Sequence, residues 1–374
     1  MIVPFLSLDS IHASIKQEVL SAIEEVYSAN SFILGEELNT FEKQYAKATE
    51  VNYCVGVGNG LDALKIALLA LDINEGDEVI ITANTFFATL QAVVLVGAKP
   101  VLVDVNQKDG LINCELLEKS ITAKTKAIIP VHMYGNVVDL SSILKMIEGK
   151  EIYLIEDNAQ AHLATYNKQF TGSFGHLNAT SFYPGKNLGA LGDGGAITTN
   201  NQLLADKCKA IRNYGSSEKY YHDVLGLNSR LDNLQAAVLS VKLKYLSGWT
   251  EERKRLAALY SKELLGVGDI RLFEIEECVE PAYHLFTILT EHRDELATFL
   301  KEKNIQTIIH YPVPIHLQKS VAYLGYKKGD FPISEKIANT ILSLPLFVGL
   351  SNEELKYVVA QTKLFFSVNN LLNA

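Results

Sequence analysis

Asn178-Ala-Thr-Ser-Phe-Tyr-Pro-Gly-Lys186-Asn-Leu-Gly-Ala-Leu-Gly-Asp-Gly-Gly-Ala-Ile197 decides how the rest of the chain is read. It opens as a short strand over 179–183, which Pro184 and Gly185 stop and turn. Lys186 stands just past the turn, and Gly185, Gly189, Gly192, Gly194 and Gly195 line the path around it. A lysine at a strand end suits covalent amine chemistry, which needs an amine held still, partly desolvated and reachable by a flat aldehyde. A free lysine has a pKa of about 10.4 and is mostly protonated at neutral pH; burial lowers that value. A surface lysine in a flexible turn is the plain alternative, so the weight rests on the surrounding chain.

Upstream, hydrophobic patterning predicts helices over 9–28 and after Gly35, then an alternation. Strands fall at 53–57, 78–82, 100–105, 126–131 and 151–156, with helices at 61–71, 86–96, 115–120 and 140–147 between them. With 179–183 and 196–199 this makes an α/β fold, a mostly parallel seven-stranded sheet flanked by helices. Such sheets bind ligands at the carboxyl ends of their strands, so the residues that follow each strand matter most. Beyond residue 202 long helices dominate: 203–211, 231–246 and an exposed Arg- and Lys-rich helix at 249–265. A small α+β unit follows, with strands at 282–290 and 305–310 and helices at 293–303, 334–342 and 351–366. Ser351 and Glu354 form a capping-box pattern for the last helix. The expected division is a large domain at 1–246, including the N-terminal helices, and a smaller one at 247–374.

The 374 residues are 48% hydrophobic, enough for a large core plus a smaller one. A net charge of −9 without a basic run argues against nucleic acid as a partner. Cys54, Cys114, Cys208 and Cys278 form no C-x-x-C pair and fit reduced thiols, which points to a cytoplasmic enzyme. The opening Met-Ile-Val-Pro-Phe-Leu-Ser-Leu lacks a basic leader and a long apolar core, and no apolar run is long enough for a bilayer, so neither a signal peptide nor a membrane is expected. His176, His222, His284 and His316 show no metal spacing, and no metal ligand is assigned.

Three further post-strand sites stand out. Gly58-Asn59-Gly60 turns directly onto a helix, whose free N–H groups attract phosphate. Asp157 ends an apolar strand, where a carboxylate needs a partner; a protonated pyridine nitrogen would serve. Phe86 follows a strand and can stack on a flat ring. Alone, each has a plain structural reading: a steric glycine turn, a helix N-cap, a core aromatic. Together with Lys186 they supply a phosphate cradle, a stacking ring, a carboxylate for a ring nitrogen and an amine for an aldehyde, a set that matches pyridoxal 5′-phosphate.

The chain also resembles the DegT/StrS-type sugar aminotransferases, within the fold-type I pyridoxal-phosphate enzymes, essentially end to end. The resemblance is carried by Gly58-Asn-Gly-Leu-Asp-Ala-Leu64, Thr85-Phe-Phe-Ala-Thr89, Pro130-Val-His-Met-Tyr-Gly135, Glu156-Asp-Asn-Ala-Gln160, Ser181-Phe-Tyr-Pro-Gly-Lys186, Gly192-Asp-Gly-Gly195, Arg212-Asn-Tyr-Gly215, Gly226-Leu-Asn-Ser-Arg230 and His310-Tyr-Pro-Val-Pro-Ile-His316. It implies Lys186 as the lysine that links to the cofactor aldehyde, Asp157 on the ring nitrogen, Gln160 on the ring hydroxyl and Phe86 on the ring face. It further implies Gly60, Leu61 and Ser181 on the phosphate, with Asn228 reaching that phosphate from a neighbouring subunit of a homodimer with shared active sites. Many relatives carry a hydroxyl where Leu61 stands, so that contact is expected from backbone N–H and Asn59. Many also have glycine where Leu163 stands. Relatives that dehydrate sugars replace the lysine by histidine, which disfavours that branch here.

Glutamate is the family's usual amino donor, and a nucleotide-linked keto-sugar the acceptor. Tyr183, His310 and Tyr311 are the candidates for the sugar and pyrophosphate pocket: Tyr183 lies three residues before Lys186, and His310 ends the strand expected at 305–310. A structural histidine at a domain hinge is the other reading of His310. The motifs look most like the branch that aminates C3 of dTDP-3-keto-6-deoxyhexoses. Its products are dTDP-3-amino-3,6-dideoxyhexoses for polysaccharide, lipopolysaccharide O-antigen or antibiotic sugars. A C4 aminotransferase of the same family is the alternative. Other classes are a nicotinamide-dependent oxidoreductase, a non-catalytic regulator on this fold, and an amino-acid aminotransferase that would grip its substrate with Arg271 or Arg293.

Overall fold

A computed structural model describes residues 1–218 and 220–368; residues 369–374 of the expected smaller domain lie outside them. Seven strands form one sheet in the order Tyr53–Val57, Gly195–Thr199, Leu177–Ser181, Tyr153–Asp157, Thr125–Ile129, Glu78–Thr82, Lys99–Val103. Gly195–Thr199 is antiparallel to both its neighbours, and the other pairs are parallel. Successive residues enter opposite cores: Ile81, Ile129 and Ile155 pack with Leu64, Leu68 and Leu90, whereas Ile80, Ile128 and Leu154 pack with Leu117 and Ile143. Burial on both faces explains why these strands read as unbroken apolar runs. No helix among the described residues is long and apolar enough to cross a membrane.

A second sheet pairs Phe286–Leu289 antiparallel with Ile341–Leu344, over a core of Leu256, Tyr260, Leu296, Leu300 and Phe366. Here the expectations need correction. The stretch 305–310 is not a strand; Ile305 bridges Val3 and Ile308 bridges Ser343 singly. His310 therefore ends no strand. The helix expected over 334–342 is Pro332–Thr340, because Ile341 and Leu342 are required opposite Leu289 and Ile288. The helix at 249–265 is Leu246–Leu264 and is not simply exposed: Leu246, Thr250, Arg253, Leu256, Ala257, Tyr260 and Leu264 form a buried face. Its high charge conceals that stripe, which follows helical spacing. The strand expected over 179–183 is Leu177–Ser181, so Phe182 and Tyr183 already belong to the turn. The hairpins Thr165–Tyr166 with Gln169–Phe170 and Ser216–Glu218 with Tyr221–His222 are too short to carry a periodic signal.

The final helix, Asn352–Val368, starts with the expected capping box: Glu354 N–H donates to Ser351 Oγ (3.1 Å) and Ser351 N–H to Glu354 Oε2 (2.8 Å). The N-terminal segment is seated against a distant stretch. Val3 N–H donates to Asn304 O (2.9 Å), Gln306 N–H to Val3 O (3.0 Å) and Phe5 N–H to Gln306 Oε1 (3.2 Å). Val3 is buried, and the Phe5 ring lies 5.7 Å from that of His310.

Candidate active site

The sheet's carboxyl edge opens into a cavity of about 700 Å³. Of the residues singled out above, Asn59, Gly60, Leu61, Phe86, Asp157, Gln160, Ser181, Tyr183, Lys186, His310 and Tyr311 line it. Asn228 does not; it bridges Asn213 within the chain, away from the cavity wall.

Lys186 is held by a tight turn in which its N–H donates to Tyr183 O (2.8 Å) and Ala190 N–H to Phe182 O (2.8 Å). Gly189 must be glycine here, since a Cβ would stand 2.3 Å from Pro184 O. Two contacts from outside brace the turn: Lys242 Nζ donates to Gly189 O (2.6 Å), and Asn187 Nδ2 to Ala282 O (2.8 Å). Lys242 is itself a buried amine, lowered to about 8 by burial. Burial likewise lowers the Lys186 amine to about 8, although Asp157 nearby pulls the other way.

Asp157, at the end of its strand, is 6% exposed and forms no ion pair among the described residues. Its Oδ2 accepts from Thr89 Oγ1 (2.9 Å), which in turn shares a hydrogen bond with Thr85 Oγ1 (2.9 Å). Its Oδ1 accepts from Ala159 N–H (3.2 Å). Burial raises its pKa; Thr89, Ala159 and Lys186 oppose that rise. A cationic ring nitrogen would supply the missing counter-charge. Behind it, Glu156 is fully buried and accepts from His132 Nε2 (2.9 Å) and from the N–H groups of Gly172, Phe174 and Gly175.

The turn before the helix Gly60–Ala70 provides the cradle. Asn59 Oδ1 caps the helix by accepting from Asp62 N–H (2.8 Å), and Asn59 Nδ2 donates to Asp62 Oδ2 (3.1 Å). These two bonds with Asp62 use one of the two Asn59 Nδ2 hydrogens. The N–H groups of Gly60 and Leu61 remain at the open helix end. A Cβ on Gly60 would come 2.7 Å from Ser181 Cβ, so glycine permits these two segments to close up. His162 Nε2 donates to Ser181 O (3.0 Å), and burial lowers this imidazole to about 3, keeping it neutral.

Phe86 is 55% exposed, with its ring 5.3 Å from that of Tyr311. Gln160 Oε1 accepts from Tyr134 N–H (2.6 Å), and Gln160 Nε2 donates to Tyr311 Oη (3.4 Å). His310 Nδ1 pairs with Ser343 Oγ (2.9 Å), and burial lowers it to about 4, so it is uncharged near neutrality. An anion-binding cradle, a lone buried carboxylate and a depressed lysine on one cavity fit a flat phosphorylated aldehyde with a basic ring nitrogen.

Sequence reasoning missed Arg253, which lines the same cavity. It sits in the charged run Glu251-Glu-Arg-Lys-Arg255, where Lys254 and Arg255 do form ion pairs, with Glu251, Glu280 and Glu252. The available signal was spacing: 253 falls on the stripe 246, 250, 253, 257, 260, 264. The alternatives Arg271 and Arg293 do not line the cavity.

A model of the DegT/DnrJ/EryC1/StrS aminotransferase family matches residues 13–363. The chain belongs to this family. Its relatives include a Geobacillus stearothermophilus protein named "Pleiotropic regulatory protein", 46% identical over 98% of this chain and 99% of that one. They also include the dTDP-3-amino-3,6-dideoxy-alpha-D-galactopyranose transaminase of Aneurinibacillus thermoaerophilus, 44% identical over 96% and 98%. Among solved structures, S. venezuelae DesV in complex with a ketimine intermediate superposes with a TM-score of 0.96 at 40% identity, covering 97% of this chain and 98% of that one. This DegT/DnrJ/EryC1/StrS member has the fold-type I architecture and is a pyridoxal-phosphate-dependent aminotransferase.

Proposed function

We propose that the chain moves the amino group of glutamate to C3 of a dTDP-linked 3-keto-6-deoxyhexose, giving a dTDP-3-amino-3,6-dideoxyhexose. The observation that carries it is one cavity holding Lys186, the unpaired Asp157 and the open helix end at Gly60. The C3 assignment is supported by the names of relatives at 42% and 44% identity, both dTDP-3-amino-sugar transaminases. A role in O-antigen, other surface polysaccharide or antibiotic sugar synthesis follows from such a product. Four cysteines, all free, suit the cytoplasm. The position of Asn228 outside its own chain's cavity is compatible with a homodimer in which it serves the partner's site.

When bound, pyridoxal phosphate supplies an electrophilic aldehyde and a ring that takes up the electron pair of a deprotonated carbon. Lys186 would anchor that aldehyde through its amine, and the same amine, when free, would move a proton at the substrate carbon, as base and then as acid. Asp157 would hold the ring nitrogen protonated, Gln160 would orient the ring hydroxyl, and Phe86 would cover one ring face. The Gly60 and Leu61 N–H groups and Ser181 hold the phosphate. Tyr183, His310 and Tyr311 receive the sugar nucleotide.

Only the neutral lysine amine attacks an aldehyde. With Lys186 lowered to about 8, uptake of pyridoxal phosphate by cofactor-free protein should accelerate roughly tenfold per pH unit up to about pH 8 and then level off. Stopped-flow absorbance over pH 6–9 checks this; a flat profile contradicts it.

The proposal as a whole is tested by absorbance. Glutamate should remove the visible band of the loaded protein, and a dTDP-3-keto-6-deoxyhexose should restore it. A protein that takes up no cofactor, or whose band glutamate leaves unchanged, overturns it. The regulatory name of the Geobacillus relative raises a non-catalytic reading, but such a protein has no need of a lysine and a carboxylate in these positions.

A further inference from the structure

Lys242 is 3% exposed and stands on the helix Asn233–Leu243. It does not line the cavity, so its amine meets no ligand there. The helix Asp9–Ala29 closes over it: Ile11, Ile15 and Val19 pack with Val238 and Val241. Its Nζ donates to Gly189 O at 2.6 Å and lies 3.4 Å from His12 Nε2, and it forms no ion pair among the described residues. His12 gives no counter-charge, since its own burial and the Lys242 charge both lower its pKa. A buried ammonium without an anion is costly. A neutral apolar residue would fill this place at less cost, unless the bond to Gly189 O serves the site.

The peptide between Gly189 and Ala190 is gripped at both ends, its carbonyl by Lys242 and its N–H by Phe182 O (2.8 Å). That peptide closes the loop 182–190, and Lys186 lies midway between the loop's ends. The Pro184 carbonyl demands glycine at 189, yet glycine is the residue that least restrains its own φ and ψ. A restraint from outside replaces the one a side chain would give. A charged donor suits that task, because its hydrogen bond is roughly twice as strong as a neutral one. We propose that Lys242 is a positioning residue for Lys186: its ammonium fixes the Gly189–Ala190 peptide and so sets where the Lys186 amine stands before any cofactor arrives. This rests on the aminotransfer function proposed above, in which Lys186 meets the cofactor aldehyde.

The two probes are pyridoxal phosphate, whose aldehyde must reach Lys186, and pyridoxamine phosphate, which has no aldehyde. Cofactor-free wild type, Lys242→Met and Lys242→Gln are compared by the rate at which the visible band appears with the first probe and by the Kd of the second. Lys242→Met keeps the length of the side chain and cannot donate; it should slow the band roughly 10- to 100-fold and leave the pyridoxamine phosphate Kd unchanged. Lys242→Gln, which retains an N–H donor without the charge, should lose less. Methionine removes the buried charge and leaves Gly189 O without this donor, so the thermal midpoint should move little. A merely structural role would weaken both probes together and lower the midpoint; that result, or an unchanged band rate, overturns the assignment. Hydrogen exchange in cofactor-free wild type needs no variant to fold. The Lys186 and Ala190 amides should be as protected there as in the pyridoxamine phosphate complex, and fast exchange before the cofactor binds also overturns the assignment. Wild type that develops no band with pyridoxal phosphate sinks the aminotransfer function, whereas a normal band in wild type with an equal rate in Lys242→Met sinks only the role of Lys242.

Discussion

Lys186→Ala is expected to lower turnover roughly 10⁴-fold, the upper range for losing a positioned acid–base group, with the covalent anchor lost besides. Burial brings this amine to about 8, within reach of neutral pH, whereas His310 is held near 4. Alanine leaves the surrounding turn intact, because the bonds from Lys186 N–H to Tyr183 O and from Lys242 to Gly189 O involve no Lys186 side-chain atom. The variant should therefore fold, bind the cofactor without its lysine-linked visible band, and show little turnover in a coupled glutamate assay. Retention of more than about a hundredth of wild-type turnover would show that another group moves the proton.

Asp157→Asn ranks second. The substitution keeps the size of the side chain and removes its charge, so the ring nitrogen loses the anion that keeps it protonated. A loss of roughly 10²–10³ in kcat is expected, comparable with removal of one preorganised electrostatic contact. Folding should be little harmed and can improve slightly, since a buried carboxylate without an ion pair is replaced by a neutral amide. Activity and stability moving in opposite directions distinguishes a functional charge from a structural one. Equilibrium denaturation beside steady-state kinetics measures both, and parallel losses would count against the role assigned to Asp157.

The parts legible in the sequence are those governed by local rules. The strands Tyr53–Val57 and Glu78–Thr82 are found at their predicted bounds because burial on both faces leaves a continuous apolar run. Lys186, Asp157 and Gly60 could be picked out because each stands at or shortly after a strand end, and parallel sheets gather those ends on one edge. What escaped depends on partners far along the chain. Arg253 looked like one charge in a solvated run, and only the pairing of Lys254 and Arg255 elsewhere leaves it as the odd one. The stretch 305–310 has strand composition, but the place beside Phe286–Leu289 is taken by Ile341–Leu344.

The docking of Val3 and Phe5 against Asn304–Gln306 has a consequence for the order in which this chain assembles. On the ribosome Val3 and Phe5 emerge some three hundred residues ahead of the backbone they pair with. Residues 59–186, which carry the lysine, the carboxylate and the helix end, are all synthesised in between. The nascent chain can thus complete the floor of its cavity while Phe5 and Leu6, two pieces of the wall, still wait for their seat. Residues 3–6 therefore cannot take these places until Asn304–Gln306 have been made, so the wall that Phe5 and Leu6 supply is not available to a shorter nascent chain.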